Sequence, residues 1–264
     1  MSLSRRRLLA AALGAAGIAT AAACTGPSEV KDPPAQSSGP DTLRDDIPAG
    51  ITVEDRGFAT FPVPDGNTAR SIVGAAAVFR NTTAEPMRVH IRFRFTDKAG
   101  RGWQSAEQND WTAIVNAGWA YLPPGKAVEL GGNYQVDAAE AARVAGIKLY
   151  VTGEPAKPSA LLTAKVVEVE PRPNPTDKWD YVSFTVNNPG FDFEEPNYGM
   201  TFRSAEGRLV AGWFVDRANW VDAKAALPNN ETDKYDEGSS RHTLPTWLPP
   251  GTKPNGVTMY VWSS

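Results

Sequence analysis

One cysteine, two histidines and no excess of positive charge set the first limits on this 264-residue chain. A lone Cys24 allows no internal disulfide. With only His90 and His242, no zinc-ligand spacing occurs, and no Gly-x-Ser-x-Gly elbow surrounds any serine. Phosphate loops and nucleotide fingerprints are missing as well. These absences remove much of the hydrolase and metalloenzyme repertoire, and no cofactor is expected. The formal charge is -3, and taking Arg5, Arg6 and Arg7 from the 27 basic residues leaves 24 against 30 acidic, a net -6. Such a chain is poorly suited to nucleic acid. The apolar run from Leu8 to Ala23, about 16 residues, falls short of the roughly 20 that a membrane span needs.

What is plentiful is turn-forming residues: 23 Gly and 22 Pro, spread along the chain, favour many short strands over long helices. The length suffices for two domains, each with a core of its own.

The N-terminus has a processing pattern. Ser4-Arg5-Arg6-Arg7-Leu8-Leu9 resembles a twin-arginine export motif, and residues 1–23 read as the signal peptide. Ala21-Ala22-Ala23-Cys24 resembles a lipobox, although Ala21 stands where a larger aliphatic residue is usual. The resemblance implies that Cys24 is acylated and becomes the new N-terminus. Ala21-x-Ala23 also fits ordinary signal peptidase, which would release a soluble secreted protein. The single cysteine sits where acylation would consume it, and this favours the lipid. The expected location is the outer face of the cytoplasmic membrane.

Residues 24–50 are rich in Pro, Ser, Gly and charge, with too few large aliphatic residues to build a core. They read as a tether with a mean reach of about 25 to 30 Å.

The first folded unit is expected over residues 51–153. Its clearest segment is Met87 to Thr96, in which Met87, Val89, Ile91, Phe93 and Phe95 alternate with Arg88, His90, Arg92 and Arg94. That is a strand with one buried face. It pairs in a hairpin with Ser71 to Arg80, and Asp97 to Gly100 turns the chain again. Further strands are predicted near 111–115, 119–122, 127–130 and 147–151. A short helix is predicted over 138–145, with Asp137 as N-cap and Gly146 as stop.

The second unit, residues 159–264, echoes the first. Phe95 to Arg101 returns as Phe202 to Arg208, Leu122-Pro-Pro-Gly125 as Leu248-Pro-Pro-Gly251, and Gly146 to Val151 as Gly256 to Val261. Three echoes in order argue for duplication. On this reading the second unit lost the helix and gained a long loop, Asp222 to His242. The predicted class is all-β: two tandem immunoglobulin-like β sandwiches.

Phe93-Arg-Phe95-Thr-Asp97 with Gly100 resembles the motif strand of FxLYD-type domains, with Phe95 and Thr96 in place of Leu and Tyr. Leu122-Pro-Pro-Gly125-Lys-Ala-Val resembles a loop of related immunoglobulin-like domains of bacterial surface lipoproteins. The resemblance implies a secreted sandwich and supplies no chemistry.

Candidate sites are therefore few. Asp192, Glu194 and Glu195 could offer oxygen ligands to calcium, without the spacing of an EF-hand. His90 reads as a surface residue. Most of the eight tryptophans are expected in the cores, with Trp103 and Trp220 in exposed turns. Loops on a rigid sandwich are where recognition resides. Trp220, Asn229, Asn230 and Tyr235 in the long loop are the candidate ligand contacts. The expected role is a non-catalytic surface module that binds an envelope protein or a cell-wall glycan. The alternative is a glycan-active enzyme using a carboxylate pair drawn from Asp192, Glu194, Asp216 and Asp222.

Overall fold

The computed structural model describes residues 44–102, 114–172, 179–186, 196–215 and 240–263. The fold is all-β, built from antiparallel sheets. The strands are β1 (Ile51–Pro62), β2 (Arg70–Asn81), β3 (Met87–Thr96), β4 (Ile114–Leu122), β5 (Ala127–Asp137) and β6 (Gly146–Pro155), followed by β7 (Leu161–Glu170), β8 (Asp180–Val186), β9 (Pro196–Arg203), β10 (Leu209–Val215), β11 (Ser240–Thr246) and β12 (Val257–Ser263). The predicted helix is a single turn, α1 (Ala138–Ala141), and Asp137 makes no side-chain cap bond to it. A 3-10 turn, Pro254–Gly256, stands before β12. Among the described residues no helix is long and apolar enough to cross a membrane.

Two three-stranded sheets, ordered β1-β2-β5 and β4-β3-β6, close on one core. Val73, Ala75, Ala77 and Phe79 of β2 meet Val89, Ile91, Phe93 and Phe95 of β3 there. The expected hairpin partner of β3 is thus its partner across the core. β3 itself pairs with β4 and β6, and β2 with β1 and β5. Residues 81–86 carry the chain from one sheet to the other.

The second six strands repeat this plan. Taking β7 to β12 in the places of β1 to β6, the pairings β7-β8-β11 and β10-β9-β12 match β1-β2-β5 and β4-β3-β6. The difference lies in β7, whose residues 161–164 pair with β12 while residues 164–170 pair with β8, past a register shift between Val166 and Glu168. One strand thereby joins both halves into a six-stranded sheet around a second core of Val182, Phe184, Tyr198, Met200, Phe202, Leu244 and Val261.

Two of the three sequence echoes fall at equivalent places. The β3-β4 and β9-β10 turns are alike: Gly100 N–H donates to the Asp97 carbonyl and Gly207 N–H to the Ser204 carbonyl, and both glycines have positive φ, 74° and 80°. β6 and β12 also correspond. The Leu-Pro-Pro-Gly echo does not. Its first copy joins β4 to β5, whereas its second follows β11 and leads to β12. The place of the first copy is taken in the second half by residues 216–239. The motif recurs because Pro-Pro-Gly makes the same tight turn wherever it stands, with Lys126 N–H on the Pro123 carbonyl and Thr252 N–H on the Pro249 carbonyl.

The end of the expected tether is tied down. Asp46 forms a parallel bridge to Tyr150 through two backbone hydrogen bonds, Asp46 N–H to the Leu149 carbonyl and Val151 N–H to the Asp46 carbonyl, each 2.8 Å. The Asp45 carboxylate takes the Leu149 N–H and pairs with Arg56. These contacts hold its carboxyl below the usual carboxylate range against the opposing effect of burial. Ile47 packs on the first core.

Candidate functional site

The β1-β2-β5 sheet is covered on both faces, and its second cover is β10. A Cβ on Gly57 would overlap the Leu209 carbonyl, one on Gly74 would overlap Ala211, and one on Gly131 would meet Gly212 Cα. Thus four consecutive residues of β10 touch β1, β2 and β5 in turn. At about 3.3 Å per residue, Leu209 to Gly212 spans about 10 Å, and three strands span two gaps of about 4.8 Å. β10 therefore crosses the sheet at a steep angle, as in orthogonal sheet packing. The contact is backbone on backbone, which only Gly and Ala permit.

Polar groups frame this seam. Glu129 of β5 accepts hydrogen bonds from Thr201 Oγ1 and Arg203 Nη2 of β9, both at 2.7 Å, with side chains only 16% and 27% exposed for Glu129 and Arg203. Tyr260 lies against the same group, and burial together with the Glu129 charge pushes its phenol above the ordinary value. Trp262 of the last strand is buried in the first core and donates its Nε1 to the Trp119 carbonyl at 3.2 Å. Ser159 N–H donates to the Tyr121 hydroxyl.

At one margin of the seam three tryptophans converge, each half-buried. Trp179 precedes β8, Trp247 follows β11, and Trp213 lies on β10. Thr246 pairs with Asp180 in register, and this sets Trp179 and Trp247 side by side. Their rings stack with centroids 5.0 Å apart at 18°, and Trp213 meets both edge-on, at 5.8 and 5.3 Å. Asn133 of β5 reaches in from the first half, its Nδ2 donating to the Trp247 carbonyl at 3.4 Å.

Four buried side-chain polar atoms lack a hydrogen-bond partner among the described residues, and three gather here: Trp213 Nε1, Thr246 Oγ1 and Asn133 Oδ1. A donor, an acceptor and a hydroxyl thus surround an aromatic platform. Each buried polar atom left unmatched costs about 1 to 3 kcal/mol, so the margin of the seam is locally destabilised.

Asp180 underlies the cluster and is 3% exposed. Its carboxylate accepts the Leu248 N–H at 2.8 Å and the Arg172 N–H at 3.0 Å. Arg172 has positive φ, 34°, a strained conformation for a side-chain-bearing residue, and its guanidinium reaches the Pro64 carbonyl between β1 and β2. Burial raises the Asp180 carboxyl above its usual range despite these two bonds and the nearby Arg172 charge. Held by these backbone donors, Asp180 ties the chain at Arg172 to that at Leu248.

Trp220, Asn229, Asn230 and Tyr235, the calcium candidates Asp192, Glu194 and Glu195, the carboxylates Asp216 and Asp222, and Arg5, Arg6 and Cys24 are outside the described residues, as is Trp103. Among the described residues no group of three His, Cys, Asp or Glu side chains could hold a metal. His90 stands half-buried on the outer face of β3 beside Trp119. His242 faces the second core against Phe184, and burial lowers its pKa. Trp213 and Trp247 pack against the second core, as expected of most of the tryptophans, while each of the three stays half-buried. The only local signal is that two of them abut strand ends, and their meeting depends on the fold. No protein-family model and no curated protein matches the chain.

Proposed function

We propose that this protein is an exported, lipid-anchored and non-catalytic binding module of the cell envelope, with two immunoglobulin-like units in tandem over residues 51–153 and 159–264. The repeated strand order supports the tandem reading, and the Arg5-Arg6 and Cys24 patterns support export and anchoring. The observation that carries the binding role is the half-buried cluster of Trp179, Trp213 and Trp247. The partly exposed aromatic faces suit the C–H face of a sugar ring. A cell-wall glycan is the ligand class that fits this arrangement.

Titration of the full chain with solubilised cell-wall glycan, read by tryptophan fluorescence, tests the assignment. Trp247→Ala and Asn133→Ala should each weaken binding by about tenfold or more, the loss expected for a central aromatic or buried polar contact. Unchanged affinity in both variants would remove the cluster as the site. Labelling with radioactive palmitate, lost in Cys24→Ala, tests the anchor independently.

A further inference from the structure

The two stacked indoles stand next in sequence to the two ends of a single hydrogen bond. Trp179 precedes Asp180, and Trp247 precedes Leu248, whose N–H donates to Asp180 Oδ2 at 2.8 Å. The β8-β11 ladder ends at the pair Thr246 and Asp180, so it stops where the two tryptophans begin. The carboxylate supplies the next tie between the two segments.

Its other oxygen, Oδ1, accepts the Arg172 N–H at 3.0 Å. Among the described residues Arg172 alone of the non-glycines has positive φ, and its guanidinium donates to the Pro64 carbonyl of the first half. Such strain persists only where the surroundings over-determine it, and it gathers at functional sites. One carboxylate thus joins three segments: the chain at Arg172, the start of β8 behind Trp179, and the end of β11 behind Trp247. Asp180 and Leu248 are 3% and 6% exposed, so solvent is poorly placed to replace the carboxylate oxygens.

We propose that Asp180 is a positioning residue for the aromatic face: by holding the Leu248 N–H it fixes Trp247 against Trp179 and keeps the platform formed before a ligand arrives. The proposal rests on the binding role of the tryptophan cluster and extends it to a buried group beneath the rings. A preformed face lowers the ordering cost of binding.

Indoles this close couple their ultraviolet transitions, and Trp213, inclined at 64° and 67° to the other two rings, gives the coupling an exciton couplet in circular dichroism. In the full chain Trp247→Ala should shrink the couplet, which verifies its origin. Asp180→Ala should shrink it as well and should lower the affinity for solubilised cell-wall glycan about tenfold. Asp180→Asn, whose amide oxygen can still accept one N–H, should fall between Asp180→Ala and the wild type, and it carries the test if Asp180→Ala does not fold. Val89→Ala, in the first core, lowers stability away from the rings and should leave couplet and affinity as they are. An unaltered couplet in the folded Asp180 variants, or an equal loss in Val89→Ala, would overturn the positioning role. A couplet that shrinks with no change in affinity, while Trp247→Ala still loses binding, would overturn it too. Equal glycan binding by Trp247→Ala and the wild type would instead remove the binding role, with the couplet still deciding whether Asp180 sets the stack.

Discussion

Gly131 of β5 and Gly212 of β10 meet backbone to backbone, and neither position has room for a methyl group. The contact makes the two halves of the chain share one interior boundary. Gly131→Ala and Gly212→Ala should each cost about 1 to 3 kcal/mol through overpacking, because the atoms they meet are main chain and cannot swing away. At about 2 to 4 °C per kcal/mol for a protein of this size, differential scanning calorimetry should show the melting temperature several degrees lower. A change under one degree in both variants would contradict the close approach.

Glu129 gives a second handle on the same boundary. Glu129→Gln keeps the shape but removes the charge that Arg203 and Thr201 share. A loss of about 1 to 3 kcal/mol in urea unfolding is expected, larger than for a surface ion pair because the group is mostly enclosed. Glu54→Gln, which loosens the exposed pairing with Arg80, should cost less than Glu129→Gln and serves as the comparison.

Trp262 links the last strand to the first core, so Trp262→Ala should destabilise the whole protein by about 3 to 5 kcal/mol. Because the side chain belongs to one half and its surroundings to the other, near-ultraviolet and far-ultraviolet dichroism should move together in a single transition. Two separate transitions in the variant would show that the halves hold their structure independently.

His242 and Asp180 share the inward face of the second half and respond to pH in opposite directions. Burial lowers the His242 pKa below 6.5, so the unfolded chain takes up the proton more readily than the folded one. Its stability contribution is present above about pH 6.5 and is lost as pH falls. Asp180 is raised above 3.8, so the folded state holds its proton more tightly, and that contribution is lost as pH rises through the raised value. Urea midpoints measured across this range should fall on acidification below about pH 6.5 in the wild type, and His242→Phe should flatten that limb. Asp180→Asn should remove the decline at the upper side of the carboxylate range; parallel profiles for wild type and variant would refute the assignment.

The parts legible in sequence were those set by local alternation. β3 could be read because one face is buried and the other is not, so Val89, Ile91, Phe93 and Phe95 separate cleanly from the arginines. β2 has no such signature. Ser71 to Val78 runs as Ser-Ile-Val-Gly-Ala-Ala-Ala-Val, since Val73, Ala75 and Ala77 face one core while Ile72 faces the other. Its small residues record the crossing strand above them, a partner more than 130 residues away. The Leu-Pro-Pro-Gly repeat misled for the converse reason, because a turn motif reports only its own four residues. The tryptophan cluster needed β8, β10 and β11 to be in place before its members met.

The anchoring of Asp45 and Asp46 on β6 also determines how the protein bears tension. A pull applied upstream of Arg44 meets first the two main-chain bonds of Asp46 and the Asp45 carboxylate, held by Leu149 N–H and Arg56. Force therefore enters through the edge of the β4-β3-β6 sheet before it reaches the β1-β2 ladder. The short bridge thus takes the load first, in the manner of a mechanical fuse placed ahead of the sheet ladders.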